Sequence, residues 1–220
     1  MKVYAVGVGP GDPELVTVKA AKLLSEAGVV VVPFSSNKVA SLAERVISPY
    51  VRGKIVRVKL PMRREVEEEE LNTIANSLCS ELKDFKEAVY VTLGDPTLYS
   101  TVFRLIDRMP CVEEKELVPG VTSFTACASR ASMSLALGGD AVAVVPADRR
   151  DVLSKAVGVF ETIVIMKGSM GLRESMRLLE GYDVIYARRC FMDEETLGKE
   201  IVEEDYFSML IARVRKDAKR

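Results

Sequence analysis

Histidine and tryptophan are both missing from the 220 residues. Without histidine the chain lacks the usual general base near neutral pH and the commonest metal ligand, so its chemistry runs without imidazole and no metal site is expected. The four cysteines (Cys79, Cys111, Cys127, Cys190) lie far apart with no C-x-x-C pair. That spacing predicts reduced, buried thiols and a cytoplasmic protein. The net charge of −1 lacks the basic field that a nucleic-acid backbone requires. No apolar run approaches the ~20 residues of a membrane span. The first apolar run is too short, and its continuation too acidic, for a signal peptide. What remains, at 48% hydrophobic and 29% charged, is the composition of a globular protein with a sizeable core.

The start of the chain carries the most specific pattern. An apolar run, Val3 to Val8, meets a turn of Gly7, Gly9, Pro10 and Gly11, and a helix is expected to open at Asp12-Pro13-Glu14. Asp12 suits an N-cap, Pro13 the first helical turn, and Glu14 the positive end of the helix. Such a strand–loop–helix unit belongs at the carboxyl edge of a sheet, where open α/β sheets hold ligands. A dinucleotide fingerprint fails here. G-x-G-x-x-G from Gly7 needs glycine where Asp12 stands, and Val29 to Pro33 fill the region expected to supply a ribose-binding acid.

Further β-branched runs predict strands at Val29–Val32, Lys54–Val58, Ala88–Leu93, Glu116–Val118, Ala141–Val145, Thr162–Met166, Val184–Ala187 and Tyr206–Val214. Helical periodicity falls between them at Leu15–Ala27, Ser41–Ile47, Val66–Leu82, Thr97–Met109, Ser123–Ser132 and Met170–Glu180. The alternation predicts an α/β protein with parallel-type sheets, the last run adding an antiparallel edge. The weakest joint lies around Pro110 to Gly120, which predicts two α/β domains, 1–115 and 116–220, with a ligand cleft between them.

Two later blocks repeat the opening design. In the first, a strand runs into Gly94-Asp95-Pro96-Thr97-Leu98-Tyr99-Ser100-Thr101. Here Gly94 permits close backbone approach and Asp95 can meet a ligand's hydroxyl or amine, or else only cap the next helix. The second is Pro119-Gly120-Val121-Thr122-Ser123, with hydroxyls and amides at a helix start; a simple cap would use them too. Three such loops converging suit a ligand with polar and apolar parts.

Together, Gly7 to Ala20, Gly94-Asp95-Pro96 and Pro119 to Ser123 closely resemble the tetrapyrrole methylase family, in order and over nearly the whole chain. The resemblance implies an S-adenosylmethionine-dependent methyltransferase with two α/β domains around a cleft, usually a homodimer. It implies cofactor contacts at Pro10, Gly94, Asp95, Leu98, Thr122, Ser123 and Met166, with Arg189 nearby. Within the family, Gly94 to Thr101, Leu60-Pro61-Met62, Met166-Lys167 and Tyr206-Phe207-Ser208 look most like the branch methylating carbon 20 of precorrin-2 or cobalt-factor II, in cobalamin biosynthesis. Methyl transfer from a sulfonium needs alignment more than acid–base power, so a histidine-free chain is compatible with it. No catalytic base is identified.

A polycarboxylate substrate calls for basic side chains. Lys59, Arg63 and Arg64 flank the Leu-Pro-Met bend, and Arg104 and Arg130 follow two of the loops; for each, a solvated surface charge is the competing reading. Tyr99 is expected either to stack on a flat ring or to pack its own helix. Rival assignments are another ring position, uroporphyrinogen as acceptor, a diphthamide-type protein methylase, a nicotinamide-dependent reductase and a non-catalytic tetrapyrrole carrier.

Overall fold

The computed structural model describes residues 1–34, 42–61 and 67–215. The chain divides into two compact units, Met1–Thr122 and Ser123–Arg220.

The first unit holds five strands: β1 (Lys2–Gly7), β2 (Val29–Phe34), β3 (Lys54–Lys59), β4 (Glu87–Thr92) and β5 (Glu114–Val118). They form one sheet in the order β3-β2-β4-β1-β5, and every pairing is parallel. Its helices are α1 (Val18–Glu26), α2 (Leu42–Ile47), α3 (Glu68–Leu82) and α4 (Val102–Ile106). The run Val29 to Val32 is buried throughout because a parallel sheet is covered on both faces. Alternate residues then feed different cores. Val3, Ala5, Val31 and Tyr90 pack with α3 and α4, while Val6, Val30, Val89 and Val91 pack with α1 and α2. β5 pairs with β1 from Lys2↔Glu114 to Val6↔Val118, so the division expected at 115/116 falls inside a strand of this sheet.

The second unit begins with α5 (Ser123–Arg130), followed by β6 (Val142–Pro146), α6 (Arg150–Ala156), β7 (Thr162–Met166), α7 (Leu172–Met176), β8 (Tyr182–Arg188), β9 (Thr196–Gly198) and β10 (Ser208–Val214). Its sheet runs β6-β7-β10-β8-β9. β10 is antiparallel to both neighbours, as expected of the final run. It is central rather than an edge, however. Met209 to Ala212 are all buried because alternate residues feed the cores on the two faces, Leu210 and Ala212 one and Met209 and Ile211 the other.

Two helix starts differ from expectation. Asp12 caps only a single 3-10 turn, Pro13–Leu15, accepting from Glu14 N–H at 2.9 Å. The true helix opens at Thr17, whose hydroxyl accepts from Ala20 N–H at 3.2 Å. The helix expected over 97–109 is cut to Val102–Ile106 because Tyr99 adopts φ +52°, which no right-handed helix can include.

The cysteines are not free thiols. Cys79 on α3 is bonded to Cys111, and Cys127 on α5 to Cys190 just after β8. Sequence distance concealed both pairs, since each joins segments brought together only by the sheet crossovers. No helix among the described residues is long and apolar enough to cross a membrane.

Candidate active site

Parallel strands end side by side, and the loops of interest leave β1, β4 and β5 at the same edge. Gly7 stands opposite Thr92, and Val6 opposite Val118. Beyond the strands the first two loops remain joined. Val8 N–H donates to Thr92 O at 2.9 Å, Gly94 N–H to Gly9 O at 2.7 Å, and Gly9 N–H to Gly94 O at 3.3 Å. The third loop closes on them so tightly that only glycine fits. A Cβ on Gly7 would lie 2.6 Å from Gly94 O and 2.7 Å from Gly120 N, and one on Gly120 would lie 2.2 Å from Gly94 O. Gly94 itself has φ +69°, and a Cβ there would meet nothing within 4 Å. The meeting of the three loops thus presents bare backbone with an open side at Gly94, a surface a ligand can approach closely.

Asp95 fastens this junction. One carboxylate oxygen accepts from the N–H of Thr97 at 2.8 Å and from its hydroxyl, and the other accepts from Gly120 N–H at 3.0 Å. Burial pushes the carboxyl up, but the bonds from Thr97 and Gly120 outweigh it and leave it below the ordinary aspartate range. Asp95 therefore fastens the Thr97 turn rather than capping the next helix, which opens only at Val102, and it adds a bond to the third loop that no local pattern reveals. Pro10 is buried, and Leu98 and Thr122 are half-buried. Tyr99, 39% exposed, is held in its left-handed conformation between two fixed turns. Leu98 N–H donates to Asp95 O at 3.3 Å, and the Ser100 hydroxyl donates to Thr92 Oγ1 at 3.1 Å.

In the second unit, Met166 and Arg188 end β7 and β8, and Ser208 begins β10 between them. Because β10 runs opposite to both, these three residues share one sheet edge, with Arg189 one residue beyond. Met166 is half-buried against Cys127, Ala187, Cys190 and Met209. Lys167 (φ +61°) and Arg189 (φ +51°) both leave this edge in left-handed conformations, which side chains rarely adopt. Such outliers collect at ligand sites. Ser123 opens α5.

Residues 2–204 match the family model of tetrapyrrole (corrin/porphyrin) methylases. The chain belongs to the tetrapyrrole methylase family. Among similar proteins, the cobalt-precorrin-2 C(20)-methyltransferase of Salmonella typhimurium is 36% identical over 172 residues, 76% of this chain and 72% of that one. A protein of Methanocaldococcus jannaschii named "Probable cobalt-precorrin-2 C(20)-methyltransferase" is 33% identical across 96% of both chains. The uroporphyrin-III C-methyltransferase of Thermus thermophilus, solved with S-adenosyl homocysteine, superposes with a TM-score of 0.71 at 25% identity, covering 97% of both chains.

In this methylase the basic residues expected at the substrate fare unequally. Lys59 ends β3, at the same sheet edge as the three loops, and is exposed. Arg63 and Arg64 lie outside the described residues. Arg104 stands exposed on α4, whose Val102, Leu105 and Ile106 enter the core. Arg130, at the end of α5, pairs with Glu195 at 2.7 Å and lies over the Phe191 ring at 5.1 Å. Sequence reasoning missed Arg188 and Asp205, which surround Arg189; only the Arg188-Arg189 doublet at a strand end signalled them.

Proposed function

We propose that this chain is an S-adenosylmethionine-dependent methyltransferase acting on carbon 20 of precorrin-2 or cobalt-factor II. The observation that carries the reading is the junction of Gly7, Gly94 and Gly120, joined by Asp95, in a chain of the tetrapyrrole methylase family. Support for carbon 20 comes from the names of relatives that resemble the chain along most of its length.

The residues fit the cofactor. The open side at Gly94, with half-buried Leu98 and Thr122 in the loops that meet there, suits a nucleoside that carries hydroxyls, an ammonium and an apolar ring. S-adenosylmethionine supplies an electrophilic methyl group on a sulfonium. Pro10, Gly94, Leu98 and Thr122 are assigned to holding it, and Ser123, Met166 and Arg189 are the further contacts that the family resemblance implies. Asp95 acts mainly by fixing Gly120 and is a positioning residue. In-line displacement rewards such rigid placement over acid–base power. Water or a carboxylate takes the proton lost from carbon 20. Lys59 is assigned to a substrate carboxylate, as are Arg63 and Arg64, and Tyr99 to the face of the ring, because an aromatic held exposed in a strained conformation is pre-set for stacking. The working form is a homodimer, as the family resemblance implies, and the cytoplasmic placement expected from free thiols loses that ground with the two disulfides.

The test is incubation with S-adenosylmethionine labelled with 13C in its methyl group and with metal-free or cobalt-loaded sirohydrochlorin or precorrin-2. A new labelled methyl at carbon 20, seen by NMR, is the expected result. Pigment binding without transfer would favour a carrier, and label on another carbon would move the assignment to another branch of the family.

A further inference from the structure

The two arginines at the end of β8 share one carboxylate oxygen. Arg188 Nε donates to Asp205 Oδ2 at 3.0 Å, and Arg189 Nε donates to the same atom at 2.8 Å. Asp205 Oδ1 is buried and has no partner among the described residues. Asp205 is itself fixed, since the Ser208 hydroxyl donates to its backbone oxygen at 2.7 Å and accepts from its N–H at 3.2 Å. Carboxylates and guanidinium groups pair best through two parallel bonds, so an idle buried oxygen beside two donors is an unspent interaction.

The arginines are not equivalent. Arg188, with its side chain 9% exposed, also pairs with Glu203 at 2.7 Å and donates to Glu194 O at 3.4 Å. Arg189, 32% exposed, adds among the described residues only Glu194 at 2.5 Å, a carboxylate that is 67% exposed, screened by water and also 3.8 Å from Arg188. Departure of Arg189 would let Asp205 turn both oxygens toward Arg188. The loss of one bond would then be offset by use of the idle oxygen.

We propose that Arg189 is a transferable guanidinium, latched by Asp205 in the structure described and released to take a carboxylate of the bound ligand. This rests on the methyltransferase reading, under which that carboxylate belongs either to the amino-acid end of the cofactor or to an acetate or propionate arm of the macrocycle. Asp205 is a positioning residue, and Arg188 is the fixed partner that keeps it in place.

The experiment follows the arginine Nε–H signals of 15N-labelled protein during separate titrations with S-adenosylhomocysteine and with metal-free sirohydrochlorin. One probe should move the Arg189 signal and leave that of Arg188 protected, and which probe does so identifies the source of the carboxylate. Arg189→Gln should weaken that probe's binding by about tenfold, and Arg189→Lys by less. Asp205→Asn should tighten that probe's binding, because it weakens the latch that competes for Arg189; unchanged or weaker binding in a folded variant would overturn the proposal. Should that variant fail to fold, the wild-type titration decides alone. An Arg189 signal unmoved by either probe overturns the inference. Loss of the functional reading looks different: probes that bind and shift Arg189 without any methyl reaching carbon 20.

Discussion

The carboxylate of Asp95 lies 3.0 Å from the backbone N–H of Gly120, so a side chain after β4 secures the loop after β5. Asp95→Ala would leave that buried-edge donor without its partner and free the Thr97 turn. We expect a stability loss of about 1–3 kcal/mol together with weaker S-adenosylhomocysteine binding. Denaturation and calorimetry on the same variant check this. Weaker binding at unchanged stability would instead mark Asp95 as a direct ligand contact.

The hydrogen bonds to Asp95 also predict an acid limb. They hold its carboxyl below the ordinary aspartate value of about 3.9. Its contribution is therefore complete above the unfolded pKa and is lost as pH falls through the lower, folded pKa. Thermal melting from about pH 6 downward should fall more steeply for the wild type than for Asp95→Asn. Parallel curves would remove Asp95 from the acid response.

The glycines of the junction separate packing from binding. Gly120→Ala places a methyl 2.2 Å from Gly94 O, where backbone must move, and should cost about 3 kcal/mol or more. Gly94→Ala meets no atom within 4 Å and pays only for its left-handed backbone, about 1–2 kcal/mol. Its methyl projects into the open side of the junction, so cofactor affinity should fall although the protein still folds. Normal affinity in Gly94→Ala would place the ligand elsewhere.

Both disulfides should be detectable by mass spectrometry of unreduced peptides, Cys79 with Cys111 and Cys127 with Cys190. Loop-closure entropy puts the gain from cross-linking 32 residues apart at about 3–4 kcal/mol, so a dithiol reductant should lower the melting temperature of the wild type. A Cys79→Ser/Cys111→Ser variant should show less of that drop.

Much of this was legible because the local rules agreed. The valine run of β2 and the glycine-bearing turns at Gly7, Gly94 and Gly120 each signal one strand or loop without help from distant sequence. The bond from Asp95 to Gly120 was not legible, because an Asp-Pro step looks the same whether it caps a turn or ties two loops. Tyr99 escaped for a related reason. Its periodicity fits a helix, and only the pull of the Asp95 turn and the Ser100–Thr92 bond forces the positive φ. The central position of β10 and the two cysteine pairs depend on chain crossovers, which leave no trace in spacing.

The most direct measurement is a crystal structure of the protein with S-adenosylhomocysteine. Our account predicts the nucleoside against the backbone of Gly94 to Leu98 and Gly120 to Thr122, with Asp95 still bonded to Gly120. A nucleoside bound away from all three loops, with that junction bare, would contradict it.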